Sequence, residues 1–153
     1  MAIRLSTAAV NGLLLTGSFN ALFTAGFIDI YTGTQPATSD TGSGTVGATK
    51  LATLYSDNIS LGLHFATAVS STGVLPKLAT ETWSGTILAN GQAGWFRLRA
   101  AGLDTGVADS TTYVRMDGSI ATSGADLNLG SLTFTLGAPF IMASASFTMP
   151  QHL

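Results

Sequence analysis

The stretch Gly94–Ile120, GWFRLRAAGLDTGVADSTTYVRMDGSI, carries most of the information about the fold. Its first part alternates between two kinds of side chain, which is typical of a half-buried strand with one inward face. Trp95, Arg97 and Arg99 share one face of this strand, and the opposite face is apolar. A Gly- and Asp-rich connection then leads to a second strand. The stretch therefore predicts a β-hairpin around which the rest of the chain is organised.

The charges of this hairpin admit two interpretations. It contains three arginines and three aspartates, namely Arg97, Arg99, Arg115, Asp104, Asp109 and Asp117. They form either a polar outer face, where ion pairs contribute only about 0–1 kcal/mol each, or a ligand site. The strand alternation favours the outer face. We expect Trp95 to pack inside the fold or against an interface, Arg97 to bind an acid or a carbonyl, and Asp117-Gly118 to form a turn.

The composition indicates one domain with an unusual surface. A chain of 153 residues is long enough to bury a core of its own. Charged residues make up only 9% of it, against about 25% in typical globular proteins. Ser, Thr, Ala and Gly must therefore cover much of the surface. Such a surface suits a protein packed against neighbours, since interface cores are depleted in charge; the alternative is a β domain with a Thr/Ser coat.

Charge and cysteine content exclude several classes of function. The net charge is −2 and the six basic residues are scattered, so we expect no nucleic-acid partner. The absence of cysteine excludes disulfides and thiolate metal sites. Ser6, Thr7, Asn11 and Gly12 interrupt the apolar run near the N-terminus, which is too short for a signal peptide or a membrane span. We expect cytosolic synthesis, no export through a leader and no membrane partner.

The periodicity along the chain predicts a mainly β fold. Ser6 is a candidate N-cap for a helix over residues 6–16 that either covers a sheet or docks on a partner. Eight or more short strands with intervening turn signals follow. We predict a single-domain antiparallel β-sandwich or barrel, jelly-roll-like, with one N-terminal α-helix. Residues 1–26 would form an N-terminal arm and helix, and 27–153 a β-sandwich domain with an exposed loop at 33–47.

No arrangement of residues predicts catalysis, a cofactor or a metal. Gly42, Gly44 and Gly47 formally match G-x-G-x-x-G, but a loop precedes them and a predicted strand follows, so no dinucleotide site is expected. His64 lies opposite the apolar face of its predicted strand, and His152 lies at the C-terminus. Two histidines so placed do not supply the convergent ligands that a metal site needs. No nucleophile elbow is present. We therefore expect a protein that is not an enzyme.

Several phrases occur in an order that is typical of one group of proteins. They are Ile30-Tyr31-Thr32-Gly33, Gln35-Pro36, Leu51-Ala52-Thr53, Trp95-Phe96-Arg97, Asp117-Gly118-Ser119, Asp126-Leu127 and Pro150. In this order the chain resembles small virion proteins of tailed bacteriophages over nearly its whole length. None of the phrases is a catalytic signature, so the resemblance depends on their order.

The resemblance implies a structural role on the capsid. The expected function is that of a cement or decoration protein that binds the major capsid protein of the same phage and stabilises the head. It implies a homo-oligomer, a trimer at three-fold positions of the capsid surface, made in the cytoplasm of the host bacterium. The residues expected to have structural or interface roles are Tyr31, Pro36, Trp95, Arg97, Asp117 and Gly118.

Two further expectations concern partners. We expect the arm 1–26 and the loop 33–47 to contact neighbouring subunits and the shell. The alternative function is that of a tail- or fibre-associated β domain that binds host-surface glycans through exposed aromatic side chains, for which Trp83, Trp95 and Tyr113 are the candidates.

Overall fold

The structure is a computed structural model that describes residues 3–57, 61–69 and 73–148, so Pro150 and His152 lie outside it. It confirms the mainly β fold: 39% of the described residues are in strands and 10% in helices, with antiparallel sheets consistent with a β-sandwich. The strands are β1 (Arg4–Leu5), β2 (Phe27–Thr32), β3 (Lys50–Ser56), β4 (Val74–Pro76), β5 (Trp83–Thr86), β6 (Gly91–Arg99), β7 (Arg115–Ala121), β8 (Leu127–Asn128), β9 (Thr133–Phe134), β10 (Pro139–Met142) and β11 (Ser146–Thr148).

One large sheet contains most of the strands. Its hydrogen-bonded order is β1-β7-β6-β2-β3-β5-β10, with β9 beside β6 and β8 parallel to β7. Strands β4 and β11 form a separate antiparallel pair. The predicted hairpin is present as the antiparallel pair β6–β7, and β2 joins it to β3. The hairpin strands are therefore second and third from the β1 edge of the sheet, and both faces of the hairpin are covered.

The apolar face of the central strands supplies the hydrophobic core. Ile28 of β2 lies opposite Leu54 of β3 and Leu98 of β6, and Leu98 lies opposite Met116 of β7. All four side chains are buried, and they belong to one cluster that also contains Phe23. The strand alternation predicted this face correctly, because a half-buried strand places every second residue on one side.

The N-terminal region contains two short helices where one was predicted. Helix α1 spans Thr7–Leu15, and Ser6 caps it as expected by accepting a hydrogen bond from the Ala9 amide at 3.2 Å. The amides of Thr16 and Gly17 both donate to the carbonyl of Gly12, and the helix ends there. Ser18 then starts α2, Phe19–Phe23. Among the described residues, no helix is long and apolar enough to cross a membrane.

Residues 4 and 5, close to the start of the described chain, belong to the sheet. Arg4 and Leu5 pair with β7, and the Ser6 amide donates to the carbonyl of Arg115 at 3.0 Å. The Ser6 hydroxyl also donates to the Tyr113 carbonyl at 2.8 Å and accepts from the Arg115 amide at 2.9 Å. Residues 4–6 are therefore fixed to the hairpin before α1 begins.

The predicted turn at Asp117-Gly118 is wrong, since both residues lie inside β7 and are buried. The dipeptide is common in turns, but here a glycine is needed for packing. A Cβ atom at Gly118 would lie 2.4 Å from the ring of Phe96. A glycine selected by a close neighbour has the same sequence signature as a glycine selected by a turn, and only the neighbouring strand distinguishes them.

The 33–47 segment has no helix or strand, but it is exposed only in part. Pro36, Ser39, Gly42 and Ser43 are buried, because this connection folds back over the sheet. Its course matters for the site, since it covers the face of β2 and β6 that carries the charged residues.

Candidate functional site

The second face of the central sheet carries a cluster of charged side chains, which we call the ionic layer. It consists of seven residues: Asp29, Lys50, Arg97, Arg99, Asp104, Arg115 and Asp117. Two connections cover it, the β2–β3 connection (33–49) and the β6–β7 connection (100–114). The predicted polar outer face of the hairpin is therefore an interior surface.

Strand register brings these charges together. Asp29 of β2 lies opposite Arg97 of β6, which lies opposite Asp117 of β7. Because neighbouring side chains on one face of a sheet are close, this row alternates in sign and avoids repulsion between like charges. Ile28 and Ile30 flank Asp29 in sequence and point to the apolar core, so the alternation of β2 turns Asp29 towards the layer.

All three nitrogen atoms of the Arg97 guanidinium group donate hydrogen bonds. Its Nε and Nη2 atoms donate to the two carboxylate oxygens of Asp117, each at 2.7 Å. Nη1 donates to the Gly106 carbonyl at 2.9 Å, and Nη2 also reaches the Thr41 carbonyl at 2.8 Å. Both charged side chains are fully buried. The expectation that Arg97 binds an acid or a carbonyl is confirmed, and the two covering connections are attached to it.

Arg115 and Asp104 form a second two-point pair. Nε and Nη2 of Arg115 donate to the Asp104 carboxylate at 2.7 and 2.6 Å, and Nη2 also reaches the Ala108 carbonyl at 2.9 Å. The Gly106 amide donates to Asp104 at 2.8 Å. Nη1 of Arg115 is the single buried side-chain nitrogen or oxygen among the described residues without a hydrogen-bond partner.

Asp29 pairs with the two remaining cations of the layer, Arg99 and Lys50. Its carboxylate accepts from Arg99 Nε at 2.8 Å, from the Thr53 hydroxyl at 2.6 Å, and lies 3.0 Å from Lys50 Nζ. Arg99 also donates to the Asp104 carbonyl at 2.8 Å. Sequence reasoning considered Asp104, Asp109 and Asp117 as partners of the arginines and missed Asp29. The available signal was an acid in the middle of an apolar strand, in a chain where acids are few.

Aromatic rings close one side of the ionic layer. Tyr31 and Trp95 stack with ring centroids 4.4 Å apart, and the guanidinium carbon of Arg97 lies 5.3 Å from the Trp95 ring. Trp95 donates its indole N–H to the Thr32 carbonyl at 3.0 Å. Burial, together with the negative charge of Asp29, raises the pKa of Tyr31, so this phenol stays neutral at physiological pH. Trp95 is thus packed inside the fold.

The charged state of the layer follows from its hydrogen bonds. Burial opposes ionisation of Asp104, but the hydrogen bonds from Arg115 and the Gly106 amide outweigh it and hold the pKa of Asp104 below its usual range. Burial likewise opposes the charged form of Arg115, yet Asp104 raises the pKa of Arg115. Burial raises the pKa of Asp117, and the hydrogen bonds from Arg97 offset this only in part.

The two connections that cover the layer are also joined to each other. The amides of Ser43 and Gly44 donate to the carbonyls of Gly106 and Val107 at 2.9 and 3.1 Å. Asp109 accepts from the Gly42 amide at 2.7 Å. A Cβ atom at Gly42 would lie 2.0 Å from the Val107 carbonyl oxygen, so the two backbones touch. Two glycines of the G-x-G-x-x-G match, Gly42 and Gly44, therefore lie where the two loops touch, while a Cβ atom at Gly47 would have no neighbour within 4 Å.

A smaller polar cluster surrounds Glu81. Its carboxylate accepts from the His64 amide and from the Trp83 indole, each at 2.9 Å, and lies 2.5 Å from Nδ1 of His64. These hydrogen bonds outweigh a partial burial and lower the pKa of Glu81. His64 is therefore hydrogen-bonded through both its amide and its ring. Across the described parts of the chain, no three His, Asp or Glu side chains are grouped as a metal site requires.

The six residues expected at a structural or interface position are all inside the fold. Tyr31, Trp95, Arg97 and Asp117 belong to the ionic layer or to the rings beside it. Two do not join them: Pro36 is buried at the edge, where its carbonyl accepts from Arg4, and Gly118 faces the apolar core. Their role is internal. The carboxylates and guanidinium groups of the ionic layer are paired with one another. Through its arginines, the layer holds the β2–β3 and β6–β7 connections on the large sheet.

Several large apolar side chains remain on the surface. On α1, Leu14 and Leu15 are 77% and 81% exposed, and Val10 lies on the same side as Leu14. On the connections held by the ionic layer, Leu103 is 91% exposed, and Val46 and Val107 are also exposed. Both groups are on segments that the structure fixes at several points.

Comparison with known proteins gives no match. No family model matches it, and neither the curated proteins nor the solved structures include a match. The function is therefore inferred from the residues and their arrangement.

Proposed function

We propose that the protein is a non-enzymatic structural protein of a tailed-phage virion, a capsid decoration protein that binds the shell of major capsid protein and stabilises the head. The proposal includes homotrimers at three-fold positions of the capsid surface. The ordered phrases that resemble such proteins support it. One observation in the structure carries it: the charges are gathered in the interior, while apolar side chains stand on rigid surface segments.

The distribution of charge supports a protein that works through contact. The chain has six basic and eight acidic side chains, and seven of these fourteen form the ionic layer. The surface is left with few charges, and interface cores have the same depletion. A docking partner would therefore bury little charge, which reduces the desolvation cost of binding.

The ionic layer also prepares a contact surface. Arg97 and Arg115 bind carbonyls of the two covering connections, and Asp109 joins one connection to the other. The exposed side chains of Leu103 and Val107 are carried by these connections. A loop that is already ordered loses little conformational entropy when it binds, so more of the contact energy is available for affinity. We assign shell binding to this surface, which we call the loop surface; it consists of the two covering connections with the exposed side chains of Leu103 and Val107.

A decoration protein needs no reactive group. It stabilises a shell by adding buried area across subunits, and stable interfaces bury on the order of 1,200–2,000 Å² in total. The role of the ionic layer in this proposal is to keep the loop surface in one shape, so that the same contact can be repeated on every copy of the shell protein.

The experiment uses phage heads that lack the protein. Purified protein is added to them, bound protein is measured by co-sedimentation, and its position is located by cryo-electron microscopy. We expect density at three-fold positions and a melting temperature of the heads that rises on binding. Leu103→Ser removes a side chain whose burial contributes about 1.5–3 kcal/mol, so the affinity for heads should fall about tenfold or more. Leu136→Ser, at an exposed leucine outside the loop surface, is the matched control and should bind as the parent does.

Two results would overturn the proposal: wild-type protein that fails to bind heads, or bound protein whose density lies away from the capsid surface. Deletion of residues 1–8, the simplest test of the N-terminal arm, is unsuitable because Arg4, Leu5 and Ser6 are bonded to β7 and the deletion would disturb the sheet. A point change on an exposed leucine avoids this difficulty.

The glycan-binding alternative requires exposed aromatic side chains, and two of its three candidates are buried. Trp83 and Trp95 are fully buried and cannot stack on a sugar ring. Tyr113 is half-buried, with its ring beside the Arg115 guanidinium. No observation on the described surface favours this function, and it is not carried further.

A further inference from the structure

Asp109 is an exposed carboxylate of the loop surface, and only one of its two oxygens is used inside the protein. Its Oδ1 atom accepts from the Gly42 amide and from the Thr45 hydroxyl, each at 2.7 Å. Its Oδ2 atom accepts no hydrogen bond from the part of the chain that the structure describes. The side chain is therefore held in one orientation, and Oδ2 is left for a partner.

The other side-chain carboxylates differ from Asp109 in this respect. Six of them have a hydrogen bond at both oxygens: Asp29, Asp40, Asp57, Glu81, Asp104 and Asp117. The remaining one, Asp126, also has an oxygen without such a bond, but it is half-buried and is not part of the loop surface. Among the described residues, Asp109 is thus the exposed carboxylate with an oxygen left for a partner.

Asp109 is charged and has no cation of its own. The hydrogen bonds from Gly42 and Thr45 lower the pKa of Asp109, and the guanidinium groups of Arg115 and Arg97 lower it further. Those two arginines are paired with other carboxylates, and no described Lys, Arg or His forms an ion pair with Asp109. The loop surface therefore presents one oriented, unpaired negative charge.

Apolar side chains lie beside this charge. Val107 precedes Asp109 by two residues and lies next to Gly44, where a Cβ atom would be 3.1 Å from the Cγ1 atom of the valine. Val46 follows Thr45 directly, and both valines are exposed. A lysine or an arginine has an apolar stem and a cationic head, so it can cover such valines and still reach a carboxylate. A purely apolar partner would bury the carboxylate without a counter-charge, which is costly.

We propose that the loop surface binds a lysine or an arginine of the shell protein, with its cationic head on Oδ2 of Asp109 and its stem against Val46 and Val107. The inference rests on the proposed function and adds the chemistry of the partner to it. The carboxylate is already oriented by the loops, so the contact costs little conformational entropy on the side of this protein.

The test measures the affinity of the full chain for phage heads that lack the protein, by co-sedimentation. Asp109→Asn removes the charge and keeps an oxygen that accepts from Gly42 and Thr45. Its affinity should be lower by about tenfold or more, because hydrogen bonds between charged groups are the strong ones. Asp57→Asn, at an exposed residue outside the loop surface, is the matched control and should bind as the parent does.

Salt gives a second measurement of the same contact. The affinity of the parent should fall more steeply than that of Asp109→Asn between about 0.05 M and about 0.5 M sodium chloride, because salt screens the charge pair. Parallel slopes for the two proteins would contradict a contact between Asp109 and a cation.

Amide hydrogen exchange at Ser43 and Gly44 separates a lost shell contact from a loosened loop. We expect exchange in Asp109→Asn to match that of the parent. If it is faster, the comparison is with Thr45→Val, which removes one hydrogen bond to Asp109 and keeps the charge. The affinity of Thr45→Val should then fall less than that of Asp109→Asn.

The outcomes distinguish this inference from the proposed function. Heads that bind Asp109→Asn as well as the parent, or a Thr45→Val variant that loses as much affinity as Asp109→Asn, would show that the partner brings no cation to Asp109, while shell binding would stand. Parent protein that does not bind heads would overturn the proposed function and this contact with it.

Discussion

Arg97 and Asp117 show why the exposure of a charged residue is hard to derive from its strand alone. The alternation of β6 predicted that Arg97 shares a face with Trp95 and Arg99, and this is confirmed. The same alternation also suggested that this face points outward. The residues that cover it come from two irregular connections, and irregular connections have no periodicity from which their path can be predicted.

A substitution at Asp117 separates a buried pair from a surface pair. Asp117→Asn leaves the Arg97 guanidinium buried without its carboxylate, and breaking such a pair typically destabilises by about 3–5 kcal/mol. A surface pair would contribute about 0–1 kcal/mol. Urea unfolding of the variant should therefore show a loss of several kcal/mol in the free energy of unfolding. A loss below about 1 kcal/mol would mean that Arg97 is solvated. Leu136→Ser, at an exposed position, is the control for an ordinary surface change.

At the scale of elements, strands were easier to predict than the segments between them. The sequence predicted the first strand of the hairpin, β6, from its alternation, because this strand has one apolar face; the second strand, β7, was predicted but was expected to end in a turn at Asp117-Gly118. It did not predict that the β2–β3 connection lies on the hairpin. That position depends on hydrogen bonds between residues far apart in the chain, such as Arg97 to the carbonyl of Thr41, and no local pattern encodes them.

Gly42 tests whether the two connections form one unit. Gly42→Ala would place a Cβ atom against the Val107 carbonyl, so the backbones must separate. Overpacking of this kind typically destabilises by about 1–3 kcal/mol. Gly130→Ala is the matched control, since a Cβ atom there meets nothing within 4 Å. We expect faster amide hydrogen exchange at Ser43 and Gly44 in the first variant and parent-like exchange in the second. Equal exchange in both would show that the connections move independently.

For the whole molecule, the sequence revealed how few charges there are but not how they are distributed. The ionic layer takes four cations and three carboxylates, so two cations and five carboxylates lie outside it. The surface is therefore sparsely charged and acidic. Composition alone suggested an interface-rich surface. The structure adds a physical cause, because the ionic layer uses seven of the fourteen charged side chains to hold the two covering connections on the sheet.

The stability of the protein should depend on pH through Asp104 and Glu81. The pKa of Asp104 is lower in the folded chain than in the unfolded one, and so is the pKa of Glu81. Between the folded and unfolded pKa values the unfolded chain binds more protons, so the free energy of unfolding decreases as the pH falls. The stabilisation by these two groups is complete above their unfolded pKa values, about 3.9 for Asp and 4.3 for Glu. It is lost as the pH falls through the folded values.

Asp117 acts with the opposite sign, because burial raises its pKa, so a comparison of variants is more informative than the total slope. Urea unfolding is measured from about pH 6 to about pH 3, across the range where carboxylates titrate. Asp104→Asn removes one titrating group that favours the folded state when ionised. Its free energy of unfolding should therefore fall less steeply with decreasing pH than that of the parent, whatever its absolute stability. Glu81→Gln should act in the same direction. A slope for Asp104→Asn as steep as the parent's would mean that Arg115 does not hold Asp104 in its charged form.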